Sequence, residues 1–212
     1  LRMSRGLGDV YKRQTFTLTA EGQSDSNIRR IFTTGFQSEW KSTMERQLLA
    51  ISPKARLLSV DYGKNPKDYQ AAPIKITFRY EIPDYALKGE GEMFFRPMVM
   101  NNLYNQVRSY MWIDTSVENR KYGFKDACSR LVELDETVQL PAGYKLVSAV
   151  KDETMQGVGA DFEGSLVQKG NKVLLHNRLA LKKRVYEASD WESFRNAVNA
   201  HKAYGEYLVI KK

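Results

Sequence analysis

The sequence feature that most limits the possible folds is a strict two-residue alternation along residues 74–82. Charged or hydroxyl side chains alternate there with five apolar ones, at Ile74, Ile76, Phe78, Tyr80 and Ile82. Successive side chains of a β-strand point to opposite faces, so this period predicts a strand with one buried face. A sheet with one buried and one polar face is typically antiparallel. We therefore expect an antiparallel sheet built around this segment.

A helical period appears in residues 36–51. Apolar residues recur there every four positions from Phe36 to Leu48, which places them on one face of an amphipathic helix. Pro53 closes the pattern, because the residue before a proline disfavours helical geometry. The apolar face is interpreted as a surface that packs on a sheet rather than as a ligand-binding stripe.

A second helix is predicted over residues 190–203. Ser189 is the expected N-cap, Glu192 completes a capping box, and Gly205 follows as a helix stop. Because several consecutive strand-like segments separate the two helices, the strand–helix alternation of a doubly wound parallel sheet is missing. The predicted fold is mainly β, of the α+β class, with two antiparallel β-sandwich-like units that each carry one amphipathic helix.

The remaining strand signals divide the chain into two predicted domains, residues 15–121 and 122–212. The clearest hairpin joins strands at 161–168 and 172–183 through a turn at Gly170. Shorter alternations predict further strands at 15–20, 29–33, 56–62, 92–96, 128–140, 144–150 and 207–210. Residues 21–24 have turn chemistry, and residues 101–113 are interpreted as a loop followed by a strand, although they also fit a helix.

The first 14 residues are predicted to be an artefact. Residues 4–14 read SRGLGDVYKRQ, which resembles the translation of an adapter from transposase-based sequencing libraries, so residues 1–14 are set aside from fold reasoning. We expect the natural chain to start near Thr15. This interpretation implies a metagenomic fragment, the C-terminal part of a longer protein.

The charge of the chain first suggests a nucleic-acid binder. The 212 residues carry a net charge of +8, and a basic balance is the usual footprint of such proteins. Residues 1–14 hold four basic residues and one acidic residue, so the remaining chain carries +5. Its charges alternate in sign along most segments, which is typical of a solvated surface rather than a phosphate-binding stripe. We expect no nucleic-acid partner, and no apolar run is long enough to predict a membrane span.

Residues that could carry chemistry are few. The sequence has one cysteine, Cys128, and two histidines, His176 and His201. Cys128 falls on the apolar side of a predicted strand and is interpreted as a buried structural residue, because a reactive thiol needs a cationic or helix N-terminal neighbour. His176 is predicted to point outward, and His201 to lie at a helix C-terminus, where a cation suits the helix dipole. This set predicts no catalytic residue, metal site, cofactor or disulfide.

Three weaker signals accompany this small set. The glycine pair Gly157 and Gly159 lacks the rest of a phosphate-loop pattern. The carboxylates Asp84, Glu90 and Glu92 are interpreted as parts of solvated loops. Tyrosines are numerous, which can mark a carbohydrate or peptide surface but more often reflects strand propensity. The tyrosines in question are Tyr62, Tyr69, Tyr80, Tyr85, Tyr104 and Tyr110.

Several segments resemble one protein family in order and spacing. Residues 140–146, with Pro141, Gly143 and Tyr144, are similar to a leucine–proline–x–glycine–aromatic turn of bacterial transglutaminase-like proteins. In these proteins a papain-like core is flanked by β-sandwich domains of unknown function. Residues 65–68, 74–86, 161–165, 186–198 and 208–212 resemble further segments of the region after that core.

The resemblance implies a role outside catalysis. The catalytic cysteine, histidine and aspartate of that family lie in its core, and no position of this sequence matches them. The chain is then a non-catalytic accessory or interaction region of a larger exported protein, periplasmic or at the cell surface. Its first partner would be the upstream core of the same chain, with a protein or peptide as a further partner. The alternative is a free-standing β-sandwich module that binds polysaccharide or protein through tyrosines on an exposed sheet face.

Overall fold

The computed structural model describes residues 12–70, 73–97, 109–147 and 152–212. Residues 1–11, Tyr104, most of the segment 101–113 and the end of the strand predicted at 144–150 lie outside them. The described residues form two compact units, an N-terminal unit that ends at Tyr85 and a C-terminal unit that starts at Ala86. The sequence placed a boundary later, between residues 121 and 122. The difference arises because the strands after Ala86 pair within a sheet of the C-terminal unit.

The N-terminal unit is a three-stranded antiparallel sheet with two α-helices. Its elements are β1 (Lys12–Ala20), α1 (Gly22–Thr33), α2 (Trp40–Leu49), β2 (Arg56–Asp61) and β3 (Ile74–Ile82). The strand order is β1-β3-β2, and the five apolar side chains of β3 are buried as its alternation predicted. Helix α1 contacts β1 and β3, and α2 contacts β2. Helices therefore cover the sheet, and the unit has two of them rather than the one predicted.

Helix α1 replaces a turn at residues 21–24 and a strand at 29–33, and that prediction was wrong. The helix is rich in serine, aspartate and asparagine, which favour turns over helix interiors. Its apolar side consists mainly of Ile28 and Phe32, one turn apart and both buried. Packing of these two side chains on the sheet stabilises a helix that local propensity alone would not form.

Strand β1 begins inside the segment that resembles an adapter. Lys12 pairs with Ile82 and Gln14 with Tyr80, in the register that continues to Ala20. Backbone pairing requires only an extended chain with free N–H and C=O groups, so an edge strand can lengthen whatever the origin of the added residues. Strand β1 therefore starts at Lys12, whereas the sequence predicted a strand that starts at Thr15.

The C-terminal unit contains two four-stranded antiparallel sheets, a two-stranded ladder and one α-helix. Its elements are β4 (Leu87–Lys88), β5 (Glu92–Phe95), β6 (Phe124–Lys125), β7 (Arg130–Gln139), β8 (Lys145–Leu146), β9 (Glu153–Met155), β10 (Ala160–Lys169), β11 (Lys172–Leu181), β12 (Val185–Tyr186), α3 (Trp191–Ala203) and β13 (Leu208–Lys211). The sheet orders are β7-β11-β10-β9 and β4-β5-β13-β8, and β6 pairs with β12. Residues 109–112 form a short 3₁₀ helix where a strand was predicted. The antiparallel sheets confirm the predicted mainly β, α+β class.

Helix α3 packs against the β10–β11 hairpin. Its turn contains Gly170, whose φ of 60° suits glycine. Gly164 faces the end of the helix, where an added Cβ would lie 2.5 Å from the ring of Tyr204. A glycine at this position lets the end of α3 approach the strand, which buries Phe162 and Tyr204 together.

In place of the predicted Ser189–Glu192 capping box of α3, Asp190 caps the 3₁₀ turn Ala188–Asp190 that leads directly into the helix. One carboxylate oxygen of Asp190 accepts the N–H of Glu187 at 2.9 Å, and the other binds Lys183 at 2.7 Å. The hydrogen bond from Lys183 holds the pKa of Asp190 below its usual value. The capping group is thus a buried carboxylate with a partner seven residues earlier, which the sequence pattern did not indicate.

Two buried phenols of the C-terminal unit predict a loss of stability at alkaline pH. Burial raises the pKa of Tyr186 and of Tyr204 from 10.0 to about 12. Between these values the folded chain holds protons that the unfolded chain releases, so stability is full below pH 10 and falls as the pH rises toward 12. Urea unfolding across this range should show a shallower decline in the Tyr186→Phe/Tyr204→Phe variant than in the wild type. Equal declines would contradict the prediction, and comparison below pH 9 gives the baseline.

Candidate functional site

The most concentrated polar chemistry in the C-terminal unit is a buried chain of three side chains. His201 of α3 is within 3.0 Å of the Tyr110 hydroxyl through Nε2 and 2.6 Å of Asn177 Oδ1 through Nδ1. Asn177 Nδ2 donates to the main-chain oxygen of His201, which leaves Oδ1 facing the ring. Nδ1 therefore carries a proton, and Nε2 and the Tyr110 hydroxyl share the second hydrogen bond.

A hydroxyl, an imidazole and an orienting amide have the order of a catalytic triad, but burial prevents that use. Tyr110, Asn177 and His201 are at most 1% exposed. Arg130 lies over the Tyr110 ring at 5.4 Å and pairs with Asp126 at 3.4 Å, which extends the network to β7. A substrate has no access to these atoms, so the network joins the helix to the sheet. His201 lies in the last turn of α3, as predicted, and its side chain is buried there.

Cys128 is not part of this network. It is a half-buried free thiol in the loop before β7, not a buried residue on the strand as predicted. Along the strand direction, Cys128 lies before the Arg130–Leu181 pair, which is the first pair of β7 and β11. His176 pairs with Asp135, further along the strand. The two pairs are five residue steps apart along β7, which corresponds to roughly 17 Å. His176 is half-exposed, as predicted, and binds Asp135 at 2.8 Å.

The glycine pair packs against helix α3. Gly159 N–H donates to Ser193 Oγ at 3.0 Å, and Gly157 N–H donates to Asp161 at 3.0 Å. An added Cβ on Gly157 would lie 2.4 Å from the Ser193 Cβ. Both N–H groups already have protein acceptors, so they serve close packing rather than phosphate binding.

The predicted loop carboxylates have separate partners. Asp84, in the N-terminal unit, binds Lys54 at 2.7 Å and has a φ of 51°. Glu92, in the C-terminal unit, binds Lys211. Glu90 is exposed. Among the residues that the structure describes, no group of three or more histidine, cysteine, aspartate or glutamate side chains could hold a metal ion.

The tyrosines do not form the exposed sheet surface that the alternative function requires. Tyr80 and Tyr110 are at most 1% exposed, whereas Tyr69 lies in a loop and is 53% exposed. Tyr62 and Tyr85 are half-buried. The prediction of a binding face built from these tyrosines is therefore wrong for the described members.

One arrangement that the sequence did not indicate is the segment 113–122 along helix α3. Trp191 Nε1 donates to the main-chain oxygen of Val117 at 2.9 Å, and Arg195 Nε donates to that of Thr115 at 2.9 Å. Lys202 Nζ reaches Thr115 Oγ1 at 3.2 Å. The three donors are spaced from the first turn of α3 to its last, and their acceptors belong to Thr115 and Val117. The whole helix therefore contributes hydrogen bonds that hold this part of the segment.

Arg120 lies near the end of this segment and contacts an aromatic cluster. Its guanidinium carbon is 4.3 Å from the Trp191 ring centroid and 4.8 Å from that of Phe124. Phe124 stacks on Tyr186 at 4.7 Å and contacts Phe194 at 4.8 Å. A sequence signal existed in the alternation of cations and aromatic residues at 120–125, but only the fold shows which rings the arginine covers.

No helix in the described part of the chain is both long and apolar enough to cross a membrane. No curated protein matches the sequence. A crystal structure described as that of "a putative protease from Parabacteroides distasonis ATCC 8503" is similar to this chain with 14% identity and a TM-score of 0.45. The similarity covers 56% of this chain and 23% of that protein, so the chain corresponds to less than a quarter of its length.

A family profile matches residues 91–209, which is more than half of the chain, and the described residues of this range belong to the C-terminal unit. The matched family is described as "Domain of Unknown Function with solved-structure structure (DUF3858)". Its span includes the buried His201 network, the segment along α3 and Arg120. The chain therefore belongs to the DUF3858 family.

Proposed function

We propose that this chain is a non-catalytic accessory or interaction region of a larger, exported transglutaminase-like protein. The transglutaminase link rests on the sequence resemblance, and membership in a family of domains of unknown function is compatible with it. The partners would be the transglutaminase-like core and a protein or peptide. Export is likewise an implication of the resemblance.

The observation that carries the non-catalytic part is the position of the cysteine and the two histidines of the sequence. Thiol catalysis needs an imidazole within hydrogen-bond reach of the sulfur. Both ring nitrogens of His201 are bonded to Tyr110 and Asn177, and His176 binds Asp135. Cys128 therefore lacks the base that would make it a nucleophile.

An acyl-transfer assay tests this proposal. The full chain is incubated with a fluorescent primary amine and a glutamine-containing protein, and amine incorporation and ammonia release are measured. We expect both rates to equal those of buffer, and the Cys128→Ala variant to behave identically. A papain-like transglutaminase serves as the positive control. Turnover by the chain that Cys128→Ala abolishes would overturn the proposal.

A further inference from the structure

We propose that the outer edge of strand β7 binds an extended basic peptide as an added antiparallel strand. Strand β7 (Arg130–Gln139) lies at one edge of the sheet β7-β11-β10-β9. The inference names the partner of the interaction role proposed for the chain and rests on that role. The two can fail separately, because amine incorporation by the chain would overturn the non-catalytic role, whereas a peptide that does not bind would overturn only this inference.

The first argument is the length and regularity of this edge. Strand β7 pairs with β11 at every residue from Arg130 to Gln139, without a bulge or a proline. The other edge strands of the two four-stranded sheets, β4, β8 and β9, are only two or three residues long. Natural proteins shorten or bulge the strands at their sheet edges, because a long regular edge pairs readily with another extended chain. The edge of β7 is therefore suited to accept a strand.

The second argument is the direction of the main-chain groups of β7. Leu140 N–H donates to the Asn171 oxygen at 2.7 Å, which continues the β7–β11 register by one pair. Because hydrogen-bonded pairs alternate along an antiparallel ladder, the even-numbered residues of β7 bond to β11 and the odd-numbered ones point their N–H and C=O groups outward. On this outer side they form no main-chain hydrogen bond with another residue of the described ranges. These exposed residues are Leu131, Glu133, Asp135, Thr137 and Gln139.

An added strand would also cover apolar side chains at this edge. Val132 and Leu134 point to the face of the sheet opposite to Glu133, and both are half-buried. Apolar residues beside them would remove their remaining exposed area from water. Glu136 lies on the same face and is already only 3% exposed. A new strand therefore does not take this charge out of water, which is how an inward-pointing charge usually protects an edge.

The third argument concerns the charge of the partner. Glu133 and Asp135 lie on the outer face of the sheet, with side chains that are 53% and 77% exposed. Glu133 binds Arg178 at 3.0 Å, but the register places Glu163 on the other side of the same arginine. Asp135 binds His176 at 2.8 Å. Because two glutamates face one arginine, a basic residue on an added strand is a favourable cross-strand neighbour here.

The same face limits the basic part of the partner. Lys169 and Lys172 lie in the row of Gln139, at the turn end of the sheet. A basic residue at that end would be repelled. A matching peptide therefore carries two basic residues, opposite Glu133 and Asp135, with uncharged residues on either side.

A second copy of the chain fits this edge less well. In two-fold antiparallel pairing of β7 with itself, an axis through any residue from Glu133 to Glu136 places two carboxylates directly opposite each other. Like charges in that position are destabilising. The occupant that the charges favour is therefore a basic peptide rather than the β7 strand of another copy.

Fluorescence anisotropy on the full chain tests the inference with a labelled peptide in which valine alternates with threonine, lysine, lysine and threonine. We expect saturable binding that weakens with added salt. N-methylation of the two lysine amides should abolish binding, because these N–H groups face β7 when the lysines lie opposite Glu133 and Asp135. N-methylation of two valine amides is the matched control, and this peptide should bind as the unmodified one does, since those N–H groups face away.

Variants of β7 test the same pairing from the side of the chain. Thr137→Pro removes one outward N–H but no bond to β11, and it should weaken binding on the order of tenfold. Glu133→Gln/Asp135→Asn should weaken binding about fivefold, as expected for exposed cross-strand ion pairs. Glu118→Gln/Glu192→Gln makes the same change of net charge at exposed residues outside this sheet and should bind as the wild type does.

Several results would overturn the inference. These are wild-type affinity in Thr137→Pro or in Glu133→Gln/Asp135→Asn, equal binding of the two N-methylated peptides, and equal binding of a peptide with glutamate in place of lysine. A dimer in sedimentation that Thr137→Pro dissociates would assign the edge to a second copy and would also contradict the proposal. Circular dichroism checks the fold of each variant. If Thr137→Pro does not fold, the comparison of the two N-methylated peptides decides.

Discussion

Replacing Arg29 with methionine is expected to lower the free energy of unfolding of the N-terminal unit by about 3–5 kcal/mol, the usual cost of removing one partner of a buried ion pair. Arg29 Nε binds Asp25 at 2.7 Å, with side chains that are 2% and 15% exposed. Its Nη1 also donates to the main-chain oxygens of Pro66 and Asp68, at 3.1 Å and 2.8 Å. Methionine keeps the aliphatic stem but leaves the carboxylate and both oxygens without this donor.

The expected loss is large because the cluster connects three parts of the unit. Asp25 also accepts the N–H of Ile74, at the start of the central strand, at 2.7 Å. Without Arg29, the carboxylate is held beside the sheet with its charge uncompensated. Helix α1, which has little intrinsic propensity, then loses its hydrogen bonds to the loop at Pro66 and Asp68.

Arg30→Met is the matched control for this experiment. Arg30 is the next residue of the same helix and is exposed, so we expect a change within about 0.5 kcal/mol. Urea unfolding followed by circular dichroism gives the stability, and hydrogen exchange of the β3 amides reports on this unit alone. Equal effects of the two substitutions would contradict the role assigned to Arg29.

Replacing His201 with leucine is expected to destabilise the C-terminal unit by about 2–4 kcal/mol, because two buried partners each lose a hydrogen bond. Those partners are the Tyr110 hydroxyl and Asn177 Oδ1, which bind the imidazole at 3.0 Å and 2.6 Å. Leucine is similar in size, so the loss reports on polar contacts rather than on a large cavity.

The other histidine provides the control. His176→Leu makes the same chemical change on the outer face of the sheet, where the ring is half-exposed beside Asp135. We expect it to change stability by no more than about 0.5 kcal/mol. Thermal unfolding of both variants distinguishes the two sites. A smaller effect for His201→Leu than for His176→Leu would show that the buried network does not stabilise the fold.

The elements that the sequence predicted correctly have an internal period. Strand β3 follows the two-residue alternation from Ile74 to Tyr80, and only at its end is Glu81 buried beside Ile82. Trp40, Met44 and Leu48 are buried on one face of α2, as their four-residue spacing indicated. Phe36, the first residue of the predicted helix, instead precedes α2 and is 77% exposed. The hairpin around Gly170 was also predicted, because its turn residue and its flanking alternation agree. In each case the local pattern and the tertiary environment favour the same structure.

The missed features depend on residues that are distant in sequence. Helix α1 depends on Arg29 contacts to residues 37 and 39 positions later. Arg120 depends on Trp191, which belongs to a helix that begins 71 positions further on. The buried contacts of His201 were missed because Asn177 and Tyr110 are far away in the chain. No local pattern contains these pairs, so the buried polar contacts could not be predicted.

The sequence by itself determined that the protein is mainly β, that one face of β3 is buried and that its cysteine and two histidines are spaced without a catalytic or metal-binding pattern. Only the tertiary structure decided that β4 and β5 belong with the C-terminal unit, that His201 is an interior residue and that Arg120 lies over the ring of Trp191. The physical reason is that periodicity records which side of an element is buried. The partner that covers that side is selected by packing and hydrogen bonding across the whole unit.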